Sequence, residues 1–308
     1  MRLYFPVSAS PLTGYAAVAL LALCATLFLA SPLTSHPAWA ADQAAIARGA
    51  YIFTAADCVS CHTDKKNKGV PLAGGRALAT PFGTYYSPNI TPDSATGIGK
   101  WTLDDFRRAL RHGRDDDGDF LFPVFPYPSF TGMSDSDIAD LYAYLMAQQP
   151  VTRPNTPHQV KFPFGWRSLL FGWRLMFFRE GPLELVAGQS AEWNRGRYLA
   201  EAVVHCEECH TPRNFLGALD HAHAFAGNPH GPDGQKAPNI TPDDATGIGK
   251  WSIADIETVL LSGQTPDFDS VGSGMGEVVG GTSHLTPDDR HAIAVYLKSL
   301  PPLRATGK

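Results

Sequence analysis

The segment "NITPDSATGIGKW" (residues 89–101) returns as "NITPDDATGIGKW" (residues 239–251), changed at one position. A repeat this faithful means one structural unit used twice. Other pieces recur in the same order. Arg48-Gly49-Ala50-Tyr51 is matched by Arg195-Gly196-Arg197-Tyr198. "SDSDIADLYAYLMAQQPV" is matched by "TPDDRHAIAVYLKSLPPL". These last two segments read as closing helices. Each opens on a capping-box pattern, Ser134 with Asp137 and Thr286 with Asp289, and Pro287 holds the favoured first helical position. Ile138, Leu141, Tyr142 and Leu145 recur at helical spacing. The glycine of each R-G-x-Y would let the first helix of a unit approach its closing helix, with Tyr144 or Tyr296 at the crossing. No stretch alternates convincingly as a strand, so the expected class is all-α, with two tandem domains.

The cysteines give the units their chemistry. Cys58-Val-Ser-Cys61-His62 and Cys206-Glu-Glu-Cys209-His210 hold every cysteine except Cys24. C-x-x-C-H is the attachment signature of c-type haem. On a helical turn, cysteines three apart share a face and can each add to a vinyl group. The next residue then sets an imidazole under the iron. A redox disulfide needs no following His. A four-cysteine zinc site would have to join pairs 148 residues apart. Two covalent haem c groups are expected, held by Cys58, Cys61, Cys206 and Cys209, with His62 and His210 on the irons.

The sixth iron position is read separately in each repeat. A thioether there favours reduced iron and raises its potential. In repeat two the candidate is Met275, in "GSGMGEVV", flanked by glycines as a loop laid over haem requires. Counting from Asn89 and Asn239, its counterpart in repeat one is Phe125, in "LFPVFPYPSFTGM". Met133 is the nearest alternative. It aligns with Leu285 just before the closing helix, the hydrophobic-staple position. The expected order is Met133, then an open iron, then His112 or His158.

The start of the chain reads as an export signal. Tyr15 to Ala30 is almost wholly apolar, Arg2 is the only charge in the first 40 residues, and Ala38-Trp39-Ala40 is a cleavage pattern. An uncleaved anchor is the alternative. Either way the rest is expected outside the cytoplasm, in the periplasm, with inner-membrane association facing that side. A net charge of −5 leaves no basic face for nucleic acid. The run "RDDDGD" (114–119) has its glycine at the wrong offset for an EF-hand and reads as a solvated loop. Between the repeats, residues 166–178 read as a short apolar helix carrying Arg167 and Arg174. Glue between the repeats is preferred there over a membrane-surface or quinone segment.

The pieces "NITPD", "TGIGKW", "WNRGRYLAEAVVHCEECHTPRN", "APNITPD" and "YLKSLPP" resemble the cytochrome c subunits of bacterial membrane-associated dehydrogenases. These include alcohol, gluconate and sorbitol enzymes and the cytochrome subunits of molybdenum hydroxylases. The resemblance covers nearly all of the chain after about Asp42. With the apolar start and the repeats, the expected division is a signal over 1–40, cytochrome c-type domains over 41–152 and 191–308, and a linker over 153–190. The resemblance implies a role as electron carrier from a dehydrogenase catalytic subunit to quinone or another cytochrome, with no catalytic residue of its own. The matched positions are the four haem cysteines, His62, His210 and Met275. The alcohol-dehydrogenase type carries three haem units and tends to P-A-M-P where this chain has Pro123-Val124-Phe125-Pro126. That departure points toward the molybdenum-hydroxylase branch. The alternatives are a two-haem peroxidase, which needs an open iron, and a free soluble shuttle.

Overall fold

The structure is a computed structural model that describes residues 38–231 and 234–305, without the side chains of residues 38–41 and 273. The apolar run expected to be a signal or anchor, and Cys24 within it, lie outside the described residues. Among the described residues no helix is long and apolar enough to cross a membrane.

Repeat one runs through α1 (Ala38–Ala55), α2 (Cys58–Cys61), strands β1 (Ala77–Thr80) and β2 (Gly83–Tyr86), α3 (Leu103–His112), α4 (Tyr127–Phe130) and α5 (Asp135–Met146). The linker adds β3 (Gln159–Val160) and α6 (Leu169–Phe177). Repeat two follows with α7 (Ala191–Tyr198), a π turn over Leu199–Val203, α8 (Glu207–His210), α9 (Ile253–Ser262), α10 (Ser273–Thr282) and α11 (Pro287–Ser299).

One expectation is corrected here. The fold is mostly helical but not all-α: β1, β2 and β3 form an antiparallel sheet, with Gly83 opposite Val160. Alternation was missed because these strands are short and β1 carries a weak exposed-intermediate pattern. Residues Asp42–Lys308 cluster as one compact unit, within which the two repeats pack on each other.

The glycine reading holds. A Cβ on Gly49 would stand 1.9 Å from the Asp140 carbonyl oxygen, and one on Gly196 1.9 Å from that of Ala292. Tyr144 and Tyr296 lie at the two crossings. The capping boxes are only half as expected. Ser134 and Thr286 do accept from the Asp137 and Asp289 backbone N–H groups, at 3.1 and 3.2 Å. The aspartates, however, do not reach back to the cap. A tyrosine of the other repeat stands between. The Ser134 N–H donates to the Tyr198 hydroxyl at 3.1 Å, which donates to Asp137. The Thr286 N–H donates to the Tyr51 hydroxyl at 3.1 Å, which donates to Asp289 at 2.5 Å. Each R-G-x-Y tyrosine thus caps the closing helix of the opposite repeat.

The same exchange brings the attachment motifs to the seam. α10 of repeat two lies on α1, a Cβ on Gly281 falling 2.4 Å from the Thr54 carbonyl oxygen. Glu277 reaches Arg76 at 2.8 Å and Lys65 at 3.5 Å. In return α4 of repeat one lies on repeat two, where the Ser129 hydroxyl donates to Glu208 at 3.0 Å.

The linker does glue. β3 extends the sheet of repeat one, Leu170 is buried with Tyr85 and Phe122, and Trp173 donates to the Leu216 carbonyl at 3.0 Å. Arg167 pairs with Asp115 at 2.8 Å, which ties the "RDDDGD" turn to α6. Its outer face is nevertheless apolar and open: Phe162, Trp166, Leu169, Phe171, Leu175 and Met176 are exposed.

Candidate functional site

Each attachment motif closes one helical turn. In repeat one, Cys58 and Cys61 span α2 and His62 is its C-cap. In repeat two, Cys209 and His210 lie on α8, which starts directly after Cys206. The residue before each motif, Asp57 and His205, sits in the left-handed region at φ 49° and 48°. That kink ends the preceding helix and starts the next turn at a new angle. Burial pushes the Cys58 and Cys206 thiols up to about 12, which keeps them protonated in the absence of a bond to haem.

The two histidines are held alike. His62 Nδ1 lies 2.8 Å from the Pro88 carbonyl oxygen, and His210 Nδ1 lies 2.7 Å from that of Pro238. A carbonyl only accepts, so Nδ1 carries the proton in both rings and Nε2 presents a lone pair. This is the tautomer an iron ligand needs, with the second ring nitrogen fixed by a carbonyl. Desolvation lowers both pKa values below the ordinary imidazole value, so the rings stay neutral.

The duplicated segment explains its own fidelity. Pro88 and Pro238 stand immediately before it. Asn89 is buried and donates to the Val151 carbonyl at 2.7 Å and to Thr96 at 3.1 Å. Its Oδ1 accepts from the Thr91 N–H at 2.9 Å. Asn239 repeats this with Leu303 at 2.7 Å, Thr246 at 2.9 Å and Thr241 at 2.8 Å. Gly97 and Gly247 have no room for a Cβ, which would meet the Thr91 and Thr241 carbonyl oxygens at 2.2 Å. The loop is therefore clamped to the chain beyond each closing helix, and it aims the proline carbonyl at the histidine.

These features test the fit of haem c. Paired cysteines on one turn, a neutral imidazole with bare Nε2 and a rigid carbonyl behind it suit the group in both repeats. Zinc fits poorly, because no cluster of three or more His, Cys, Asp or Glu side chains among the described residues could hold an ion.

The distal candidates are placed as follows. Met275 is half-buried in the first turn of α10 rather than in the expected loop. One glycine of this helix, Gly281, lies against α1, where a Cβ would meet the Thr54 carbonyl oxygen at 2.4 Å. Met133 is fully buried in the main core, just before the Ser134 cap, and Leu285 is buried at the matching place. Its carbonyl accepts from buried Arg111 at 2.7 Å. Phe125 is part-buried and packs on Phe130, ring centroids 5.5 Å apart. His112 pairs with Glu180 at 2.8 Å. His158 Nδ1 accepts from the Tyr86 N–H at 3.1 Å, between the Tyr85 and Phe122 rings.

Sequence reasoning missed Pro88 and Pro238, although a proline precedes the repeat in both copies. It also missed His205, whose only signal is its place before a motif.

Comparison with known proteins fits this geometry. A family model for cytochrome c matches residues 46–149. A diheme cytochrome c-type protein of Cereibacter sphaeroides is 44% identical over 296 residues, covering 94% of this chain and 98% of that protein. The fructose dehydrogenase cytochrome subunit of Gluconobacter japonicus is 40% identical over 311 residues, covering 100% of this chain and 62% of its own length. A nicotinate dehydrogenase subunit of Pseudomonas putida is 40% identical over 275 residues, covering 88% of this chain and 22% of its own length. The chain thus spans only part of these last two. With the first match running nearly end to end, the chain belongs to the family of two-haem c-type cytochromes.

Proposed function

We propose that this chain is the electron-transfer member of a dehydrogenase complex, taking electrons from a catalytic subunit and passing them to quinone or a downstream cytochrome. Haem c, bound through Cys58 and Cys61 and through Cys206 and Cys209, supplies the one-electron couple. The observation that carries the reading is the duplicated Nδ1–proline contact. His62 and His210 are both set, neutral and oriented, to ligate iron, and neither is placed as an acid or base. The relatives named as cytochrome subunits of fructose, alcohol and gluconate dehydrogenases support the same role and lend nothing to a peroxidase.

Met275 would ligate the iron of repeat two and Met133 that of repeat one. The reading sets the chain in the periplasm. It also gives the open apolar face of α6 to the lipid surface. Residues 152–179 hold Arg153, Lys161, Arg167, Arg174 and Arg179 and no Asp or Glu, which suits an anionic bilayer interface. Affinity purification of the tagged chain from its native membranes tests the role. A copurifying dehydrogenase whose substrate reduces both haems is expected. A chain that purifies alone and is reduced by no dehydrogenase substrate would refute it.

A further inference from the structure

The two attachment motifs meet at one side chain. His205 directly precedes Cys206, and its left-handed backbone, φ 48°, turns the ring out of repeat two. Its Nε2 lies 3.3 Å from the carbonyl oxygen of Ala56, two residues before Cys58. Its ring also meets Phe130 of α4 edge-on, centroids 5.3 Å apart. Phe130 in turn contacts Phe125, the residue standing at the expected ligand position of repeat one. Two lines from repeat one therefore converge on His205. One is the covalent run from Cys58 to Ala56 closed by a hydrogen bond. The other is the aromatic file Phe125–Phe130.

The arrangement is not a by-product of the repeat symmetry. Asp57 has the same place and the same backbone, φ 49°, yet its carboxylate turns back to accept from Ser60 within its own motif at 2.6 Å. Only repeat two extends its pre-motif side chain across the seam.

We propose that His205 is the bridge for electron exchange between the two haems. This rests on the relay reading above. Electron tunnelling falls off steeply across empty gaps and more slowly along bonds, hydrogen bonds and packed atoms. His205 links the attachment segments by one hydrogen bond and one ring contact. The step is a single-electron exchange: one iron is oxidised as the other is reduced, no bond breaks, and the ring proton stays on Nε2. The proposal gives His205 no ligand role, so it is a positioning residue for the transfer.

The test uses the full haem-loaded chain. One electron is injected by a laser-driven photoreductant, and re-equilibration between the haems is followed in the visible spectrum. Midpoint potentials are measured by spectroelectrochemical titration, and imidazole ¹⁵N shifts report the His205 hydrogen bond. His205→Leu removes both contacts and should slow exchange several-fold or more with both potentials unchanged. Phe130→Leu removes only the ring contact and should slow it less. His205→Gln keeps a donor toward Ala56 and should fall between His205→Leu and the unaltered chain. It also serves if His205→Leu fails to fold. Unchanged rates in His205→Gln and Phe130→Leu, or an unchanged rate in a folded His205→Leu, would overturn the bridge. An unaltered chain in which an injected electron never leaves the first haem would instead overturn the relay.

Discussion

Replacing Gly196 by alanine should damage the fold far more than a methyl group ordinarily does. On helical propensity alone, Gly→Ala is worth about 1 kcal/mol of added stability. At Gly196 the new Cβ would stand 1.9 Å from the Ala292 carbonyl oxygen and 2.9 Å from the Tyr296 Cβ, and Cβ contacts under 3.0 Å essentially never occur. The obstacle is helix backbone, so α7 and α11 must part by more than an ångström. Parting them strains the Arg195–Asp289 pair, at 2.7 Å, which spans the same crossing. Overpacking of this kind costs roughly 1–3 kcal/mol, and a backbone clash belongs at or above the top of that range. The net loss should be about 2 kcal/mol, or a fall in Tm of about 4–8 °C for a unit of this size. Thermal melts followed by circular dichroism on haem-loaded protein measure it. Gly172→Ala on α6 is the control, because its Cβ would meet nothing within 4 Å and should raise stability slightly. A Gly196→Ala protein as stable as Gly172→Ala would refute the close crossing.

Further substitutions probe the remaining claims. Asp57 is pushed up to about 6 by burial, with Glu277 adding to the shift, against an ordinary 3.8. The folded state therefore binds this proton more tightly, so stability falls as pH rises from about 4 to 6, the penalty being absent below 3.8 and complete above 6. Asp57→Asn tolerates the left-handed backbone and should stabilise by about 1–2 kcal/mol at pH 7, after discounting for solvent screening, while flattening that pH slope in urea titrations. Tyr198→Phe strips the Ser134 N–H and Asp137 of their shared partner and should cost about 1.5–3 kcal/mol, with Tyr51→Phe similar; near-zero values in urea unfolding would deny the exchanged caps. Asn239→Ala frees the Pro238 carbonyl from its clamp, and the expected result is a shifted potential for one haem only, read by spectroelectrochemistry. Vesicle cosedimentation with anionic lipid should be weakened by Phe171→Ser with Leu175→Ser, and equal binding would remove α6 from the membrane.

What the sequence made legible follows from what was local or repeated. The motif turns, the place of His62 and His210 at their ends and the glycine crossings depend on residues a few positions apart or duplicated in order, so pattern alone found them. The sheet was missed because β3 is too short to alternate and gains its order from β2. The exchanged caps were missed because Tyr51 and Tyr198, reaching opposite closing helices, join residues far apart in the chain. Met275 was expected in a loop because flanking glycines disfavour helix, yet packing of Gly281 on α1 outweighs that local preference. His205 was invisible for the same reason, since its partners Ala56 and Phe130 belong to the other repeat.

Low-temperature electron paramagnetic resonance of the oxidised protein tests the two-haem relay most directly, read beside a haem count per chain. Two haems, both low-spin, are expected if His62 and Met133 hold one iron and His210 and Met275 the other. A high-spin signal amounting to one haem per chain would contradict this, return Met133 to a packing role before α5, and leave the iron of repeat one open to peroxide.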